Sequence, residues 1–367
     1  MRGRAMAEIT LRRPTSRPRL SRRVRQGFQA AASHALLVAV GLFFFVPFLW
    51  MLSTSLKSEQ DVFRMPPTWL PHDNLRVDVG GKALPVYDVT LSDGSVRRMA
   101  LVSMAEGRGT FVDPAAPAPP IEARLRDAQA VLVVSLRWQN FVDAMERSTR
   151  PGVNVNFFTY ARNSLIVAFF CIVGTLVSCA PAAYGFARIR WPGRDALFML
   201  VLATMMLPFQ VTMIPLYVIF TTWLHWGNTF LPLIVPTFFG NGFDIFLLRQ
   251  FFRTIPEELC DAARVDGASE ARIFFNIVLP LSVPVLTTIS VLTFLWAWND
   301  FLGPLLYLTN PQAFTMALGL QDFQGRHEVA WNLLMAASVV FTLPIIVAFF
   351  FAQRTFIQGV KLTGLKE

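Results

Sequence analysis

The sequence is poor in the residues that build metal centres, disulfide frameworks and polar active sites. It has three cysteines and four histidines in 367 residues, and only 16% of its residues are charged, against about 25% in an average soluble domain. Cys171 and Cys179 lie in one apolar stretch, about 12 Å apart along a helix axis and beyond the roughly 7 Å reach of a disulfide. No CxxC pair occurs, and His34, His72, His225 and His327 keep no metal-ligand spacing. The cysteines, Cys260 included, therefore read as small core residues. A phosphate-cradling loop is lacking as well: Gly80-Gly81-Lys82 has neither the preceding glycine nor the following Ser or Thr. With no convergent acid, base or nucleophile, neither a catalytic site nor a metal site is expected.

What is present is apolar. Hydrophobic residues make up 54% of the chain, with 34 Phe and 9 Trp. They fall in six segments: Ser33 to Leu52, Ser164 to Phe186, Ala196 to Phe220, Phe230 to Phe251, Val283 to Leu306 and Leu333 to Ala352. Each has about the 20 residues that a helix needs to cross some 30 Å of hydrocarbon. The predicted fold is an all-α polytopic membrane protein of six transmembrane helices. Residues 1–27 hold nine arginines against Glu8 alone. An apolar run follows directly, so this tail reads as the cytoplasmic flank of a first span rather than a nucleic-acid arm. The run is near 20 residues long and no A-x-A site follows it, which favours an uncleaved helix over a signal peptide. Arg188, Arg190 and Arg194 lie between spans two and three, and Arg354, Lys361 and Lys366 in the last tail; Thr221 to Asn228 has no Lys or Arg, and Thr309 to Ala330 only Arg326. Both termini are then expected in the cytoplasm.

The expected organisation is a basic tail 1–27, a first helix 28–53, an extracytoplasmic segment 54–160, a transmembrane core 161–353 and a cytoplasmic tail 354–367. A small α+β insertion occupies about 72–135 of the external segment. Tyr87 to Thr90 and Val96 to Val102 read as strands around the Asp93-Gly94 turn. Asp113 to Pro120 reads as a proline-rich linker, Ala130 to Leu136 as a further strand and Trp138 to Arg147 as a short helix.

The longest inward loop, 253–284, encodes two short helices. Thr254 is placed to cap the first, with Glu257 completing a capping box and Pro256 in the first turn. Glu257, Glu258 and Asp261 suit the positive end of its dipole. Leu259, Ala262 and Ala263 are expected on one face with Val265 beside it, and Gly267 as the left-handed stop. Ser269 caps the second helix, which Pro280 and Pro284 end. Small apolar residues and charges of both signs favour a docking element over a helix lying on lipid.

Glu258-Leu-Cys-Asp-Ala-Ala263, Asp266-Gly-Ala-Ser269 and Ile277-Val-Leu-Pro280 resemble the EAA loop of bacterial ABC importer permeases, with Asp261 where that family usually has Glu. Arg162-Asn-Ser-Leu165, Trp296-Ala-Trp-Asn-Asp-Phe301 and Phe356-Ile-Gln-Gly359 resemble carbohydrate-uptake permeases of the maltose-transporter type. The resemblance leaves out residues 72–135. It implies a bacterial inner-membrane permease with no cofactor of its own. Its partners are then a second permease, two ATPase subunits that bind ATP and Mg, membrane lipid and an extracytoplasmic solute-binding protein; nucleic acid is not among them. The implied ATPase-coupling residues are Glu257, Glu258, Leu259, Asp261, Ala262, Ala263, Asp266, Gly267, Ala268, Ser269, Leu279 and Pro280.

In the same permeases the loop equivalent to Thr309–Ala330 reaches into the binding protein, which here singles out Gly319, Gln321, Asp322, Gln324 and Gly325. Asn163, Asn299 and Asp300 are polar residues in or near spans, and a buried aspartate needs a partner or an aqueous cavity. Structural roles are favoured for them over solute contact, and likewise for Asn241 and Asp244 near a helix break at Gly240 and Gly242. The alternative reading is an ion-gradient-driven secondary transporter, which calls for internal repeats and several intramembrane charges.

Overall fold

A computed structural model describes residues 22–91, 93–115, 119–146, 155–324 and 329–363 of the chain. The arginines Arg2 to Arg19 of the basic tail and Gly325 of the external loop lie outside these residues. The chain divides into two compact units, Met1–Trp50 and Met51–Glu367. The first unit holds most of helix α1 (Arg22–Ser55), whose side chains Leu36, Leu37, Phe43 and Phe44 are exposed. An apolar surface on a helix this long is one that hydrocarbon solvates and water does not.

In the second unit a short α2 (Glu59–Val62) is capped by Ser58, whose side chain accepts from the Asp61 N–H. A β-rich module follows, from β1 (His72–Asn74) through β2 (Arg76–Val79), β3 (Lys82–Thr90), β4 (Val96–Ala105), β5 (Arg108–Val112), β6 (Ile121–Arg124) and β7 (Ala128–Ala130) to β8 (Leu132–Val134). All pairings are antiparallel. The sheet order is β2-β3-β4-β5-β6 with β7 also on β3, and β1 pairs β8 separately. Val89, Met99 and Phe111 form its sealed core. The β3–β4 hairpin turns at Asp93-Gly94, where the Asp93 carboxylate accepts from Ser95 N at 2.8 Å and Gly94 is left-handed at φ +82°. Helix α3 (Gln139–Glu146) leads back towards the helical core.

That core is organised on α4 (Phe157–Ala187). Its first half, from Phe157 to Cys171, belongs to one apolar cluster with Trp298, Tyr307, Phe314, Met316 and Ala336. Its second half, from Cys179 to Phe186, belongs to another with Phe198, Leu248, Phe252, Cys260, Ile273 and Ile289. All three cysteines are buried and free. A Cβ on Gly174 would stand 2.2 Å from the Thr237 hydroxyl, so a glycine there lets two segments approach closely, as packed membrane helices require.

Among the described residues, four helices are long and apolar enough to cross a membrane, or up to six if each of two bent pairs is one span. The third expected span is not a continuous helix: α5 (Arg194–Thr204) and α6 (Phe209–Val218), the latter continued to Trp223 by a π-helical turn, meet at 90°. Pro208 causes the break, since a proline has no N–H to donate and bars the helical conformation from the residue before it. The fourth is interrupted as well. Helix α7 (Leu231–Ile234) passes into a 3₁₀ turn, and Gly240 at φ +87° separates it from α8 (Gly242–Phe252). Beyond α9 (Glu257–Val265) and α10 (Glu270–Ile273) come α11 (Leu279–Leu281) and α12 (Val283–Asn299), with a 76° bend at Ser282. The fifth expected span, drawn to Leu306, breaks at Asp300 before α13 (Leu302–Tyr307). Helix α14 (Met316–Gly319) lies in the following loop, and α15 (Trp331–Thr363) closes the core.

Candidate functional site

The α9–α10 loop is built by local signals that the sequence carries openly. Gly267 at φ +80° ends α9, the Ala268 N–H reaches back to Ala263 O at 2.9 Å, and the Gly267 N–H to Arg264 O at 3.0 Å. This pair of bonds satisfies carbonyls that a helix end otherwise leaves open. Ser269 then caps α10 through the Arg272 N–H. The expected capping box is absent: α9 starts at Glu257, with Pro256 before it, and the Thr254 hydroxyl donates backward to Phe251 O at 2.7 Å. The reason is Pro256, which excludes Ile255 from helical conformation and moves the start two residues on.

The faces of α9 also differ from expectation. Cys260 is fully buried and Ala263 packs inward, whereas Leu259, Ala262 and Val265 are exposed. Their spacing of three puts them on one stripe of the helix. Glu257, Glu258, Asp261, Asp266 and Gly267 are exposed around it, and Ala268 and Leu279 are half-buried behind. The loop therefore turns a small apolar stripe with an acidic border away from the core.

What holds that stripe in place was not legible in the motif. Arg188, just past α4, donates to the carbonyls of Phe252 and Ile255, tying the end of α8 to α4. Tyr184 on α4 donates to Glu270 Oε2 at 2.6 Å. Arg264 donates to Glu270 Oε1 at 2.8 Å and to Asp261 Oδ1 at 2.6 Å. The hydrogen bond to Glu270 raises the Arg264 pKa above the ordinary guanidinium value, with Asp261 adding to it. The chain Tyr184–Glu270–Arg264–Asp261 thus links α4, α10 and α9. In the sequence its only signal is a tyrosine and an arginine at the end of an apolar run.

A second feature is a cavity of about 620 Å³ in the helical core, lined by α4, α6, α7 with its following 3₁₀ turn, α8, α12 and α13. Phe220, Phe243, Trp296 and Tyr307 give it aromatic walls, and Asp244 and Asp300 reach it from two sides. Asp300 is engaged: its Oδ1 accepts from the Gly303 N–H at 3.0 Å. The Asn241 side chain accepts from Phe243 N and Asp244 N and so starts α8.

The other polar residues are placed as packing groups. Asn163 is buried, and its amide donates to Gln312 O at 2.8 Å and Phe314 O at 3.0 Å; next to it Ser164 accepts from Met316 N at 2.7 Å. Together they pin the loop after α13 onto α4. Asn299 is exposed and donates to Leu295 O within its own helix. In the 309–330 loop Gly319 is buried, with a hypothetical Cβ 2.2 Å from the Tyr160 ring, while Gln321 and Gln324 are exposed. The Asp322 side chain and Gly325 lie outside the described residues.

Comparison with known proteins points one way. Residues 174–362 match the model of the family described as binding-protein-dependent transport system inner membrane component. The chain is similar to the arabinooligosaccharides transport system permease protein AraQ of Bacillus subtilis, 36% identical over 57% of this chain and 74% of that protein. It is also similar to the sn-glycerol-3-phosphate transport system permease protein UgpE of Salmonella typhi, 36% identical over 57% and 75% of the two chains. Among solved structures, a bacterial ABC transporter involved in import of the acidic polysaccharide alginate has the same fold, with a TM-score of 0.63 at 18% identity. The match covers 92% of this chain and 99% of that one.

Proposed function

The chain belongs to the family of binding-protein-dependent transport system inner membrane components, and from that premise we propose that it forms half of a sugar pathway driven through its α9–α10 loop. It is a multi-pass inner-membrane permease of an ABC importer, without an ATPase site of its own, working with ATPase and solute-binding partners. Ion-gradient-driven transport finds no support among its relatives.

The finer reading has six spans, counting each bent pair as one, with both termini in the cytoplasm and the β-rich module outside. Two ATPase subunits and a second permease complete the complex, and the ATPase supplies the ATP and Mg site. The solute class is a sugar or sugar derivative, which the names of the relatives support. In this reading the exposed Gln321 and Gln324 meet the solute-binding protein, a role also expected of Asp322 and Gly325, whereas Gly319 is buried against Tyr160 and does not.

The observation that carries the proposal is the form of the loop. Residues Glu257–Ser269 expose Leu259, Ala262 and Val265 while their inner side is bonded to α4 and α10. A rigidly held, short apolar stripe transmits displacement, and its small side chains let a partner backbone come close. Leu279 and Pro280 then lead from the loop into α12 through the bend at Ser282. The test is co-purification of an ATPase subunit with wild type and with Gly267→Asp. A residue with a Cβ held at left-handed φ costs about 1–2 kcal/mol, and no atom lies within 4 Å of the site to clash. The substitution is expected to loosen the α9 stop and reduce ATPase retention or transport coupling while the rest of the core folds. A wild-type chain that is stable and recruits no ATPase sinks the reading.

A further inference from the structure

Asp244 is the one cavity carboxylate for which no partner is found among the described residues. It is 9% exposed, it lines the cavity, and no described side chain or backbone N–H donates to its carboxylate. Among the described residues, no Lys, Arg or His lines the cavity to neutralise it. A carboxylate taken out of water at membrane depth needs a compensating donor, and such residues mark solute or ion paths. Asp300 does not share this position, because the Gly303 N–H already satisfies one of its oxygens. The start of α8 offers no alternative anion site, since the Asn241 side chain occupies the Phe243 and Asp244 N–H groups.

Resting on the importer reading above, we propose that this cavity receives a hydroxyl-rich solute carrying no acid group, and that Asp244 accepts its hydroxyl or ammonium protons. The aromatic walls of Phe220, Trp296 and Tyr307 offer apolar faces to the C–H surface of a sugar ring, which is how a mostly apolar pocket with few polar groups fixes orientation. The volume of about 620 Å³ lies within the roughly 300–1,000 Å³ of small-molecule sites. Two carboxylates in a poorly screened space repel a uronate or a phosphate. Selectivity therefore runs opposite to alginate and sn-glycerol 3-phosphate, the acidic solutes named for two of the similar proteins.

The experiment uses the whole importer in proteoliposomes with its binding protein, offered a pool of uncharged oligosaccharides, a pool of amino sugars, and a pool of uronates and sugar phosphates. Wild type is expected to take up solute from the first or second pool, and which of the two it uses distinguishes a hydroxyl from an ammonium donor. Asp244→Asn is expected to raise KM for that solute roughly tenfold, the loss of one charge-assisted hydrogen bond, and Asp244→Glu to recover part of it. Preference for the acidic pool overturns the proposal, as does uptake from no pool while ATP hydrolysis still responds to the binding protein. An Asp244→Asn importer with wild-type KM overturns it as well. If no ATPase or binding protein engages the wild-type chain at all, the importer reading itself is what has failed. The pool preference of wild type needs no variant, so a misfolded Asp244→Asn leaves the proposal open to refutation.

Discussion

The loop of α9 and α10 and the cavity beside α8 treat charge in opposite ways. At the loop, Arg188, Arg264 and Glu270 each engage hydrogen-bond partners on neighbouring elements, and the result is a fixed surface. In the cavity, Asp244 is more deeply buried than any of these yet has no donor among the described residues. Satisfied charges hold elements at set angles, because removing one partner strands the other in a poorly solvating interior. An unsatisfied one is costly for folding alone and is offset only by something that arrives from outside. In the proposed reading the first of these parts transmits movement and the second meets the solute.

Breaking the structural side should have the largest effect. Arg188→Ala strands the carbonyls of Phe252 and Ile255, and a loss of about 3 kcal/mol is expected from two charge-assisted bonds. A markedly lowered melting temperature of the assembled complex, with loss of the ATPase subunit, would bear this out; a wild-type melting curve would show that the tie is dispensable. Asn163→Ala comes next. It removes two buried bonds to the loop after α13, roughly 2 kcal/mol by the usual worth of such bonds. Faster proteolysis at 309–316, with the ATPase still bound, is the expected readout. Glu270→Gln keeps the shape of the loop but weakens its bonds to Arg264 and Tyr184, by about 1 kcal/mol. A double-mutant cycle with Tyr184→Phe on coupled uptake should show an interaction of about 0.5 kcal/mol or more; strict additivity would break the chain into independent contacts.

The smallest effect belongs to the β-rich module, as a region apart from both. At Asp73 burial pushes the carboxyl up, but the hydrogen bonds from Arg137 and Asn74, with Arg76 nearby, hold it below its ordinary value. A folded pKa below the unfolded one adds stability above the unfolded value, and that stability is lost as pH falls through the folded value. Acid titration into that range should loosen β1 against the Arg137 segment, seen as faster amide exchange at 72–74, and Asp73→Asn should remove the pH dependence.

Much of this could be read in advance. The apolar segments announced helices for a membrane because a run of about 20 such residues has few other uses. Gly267 and Ser269 announced the stop and start of α9 and α10 because their backbone requirements are local. Asp93-Gly94 announced its hairpin for the same reason. The failures also have causes. The run from Ala196 to Phe220 was read as one continuous span, whereas Pro208 lies where two helices meet at 90°. Pro256 displaced the expected cap, and the exposed stripe of α9 holds Val265 in place of Ala263. Which side of so short a helix is buried depends on the neighbours that α4 and α10 present, and not on its own periodicity.

The same division runs through the whole chain. Composition and segment length by themselves determined a helical membrane protein, and the loop motif its resemblance to importer permeases and the ends of two short helices, because solvation by lipid and the ends of helices are decided within a few turns of sequence. Only the tertiary structure decided that Tyr184 and Arg188 hold that element, that Asn163 is a fastener, and that Asp300 is engaged while Asp244 faces a cavity without a donor. The roles of Tyr184, Arg188 and Asn163 depend on atoms some 60 to 150 positions apart in the chain meeting at hydrogen-bond distance, and the contrast between Asp244 and Asp300 depends on which helices close the cavity around them, relations that residue type and spacing along one segment do not encode.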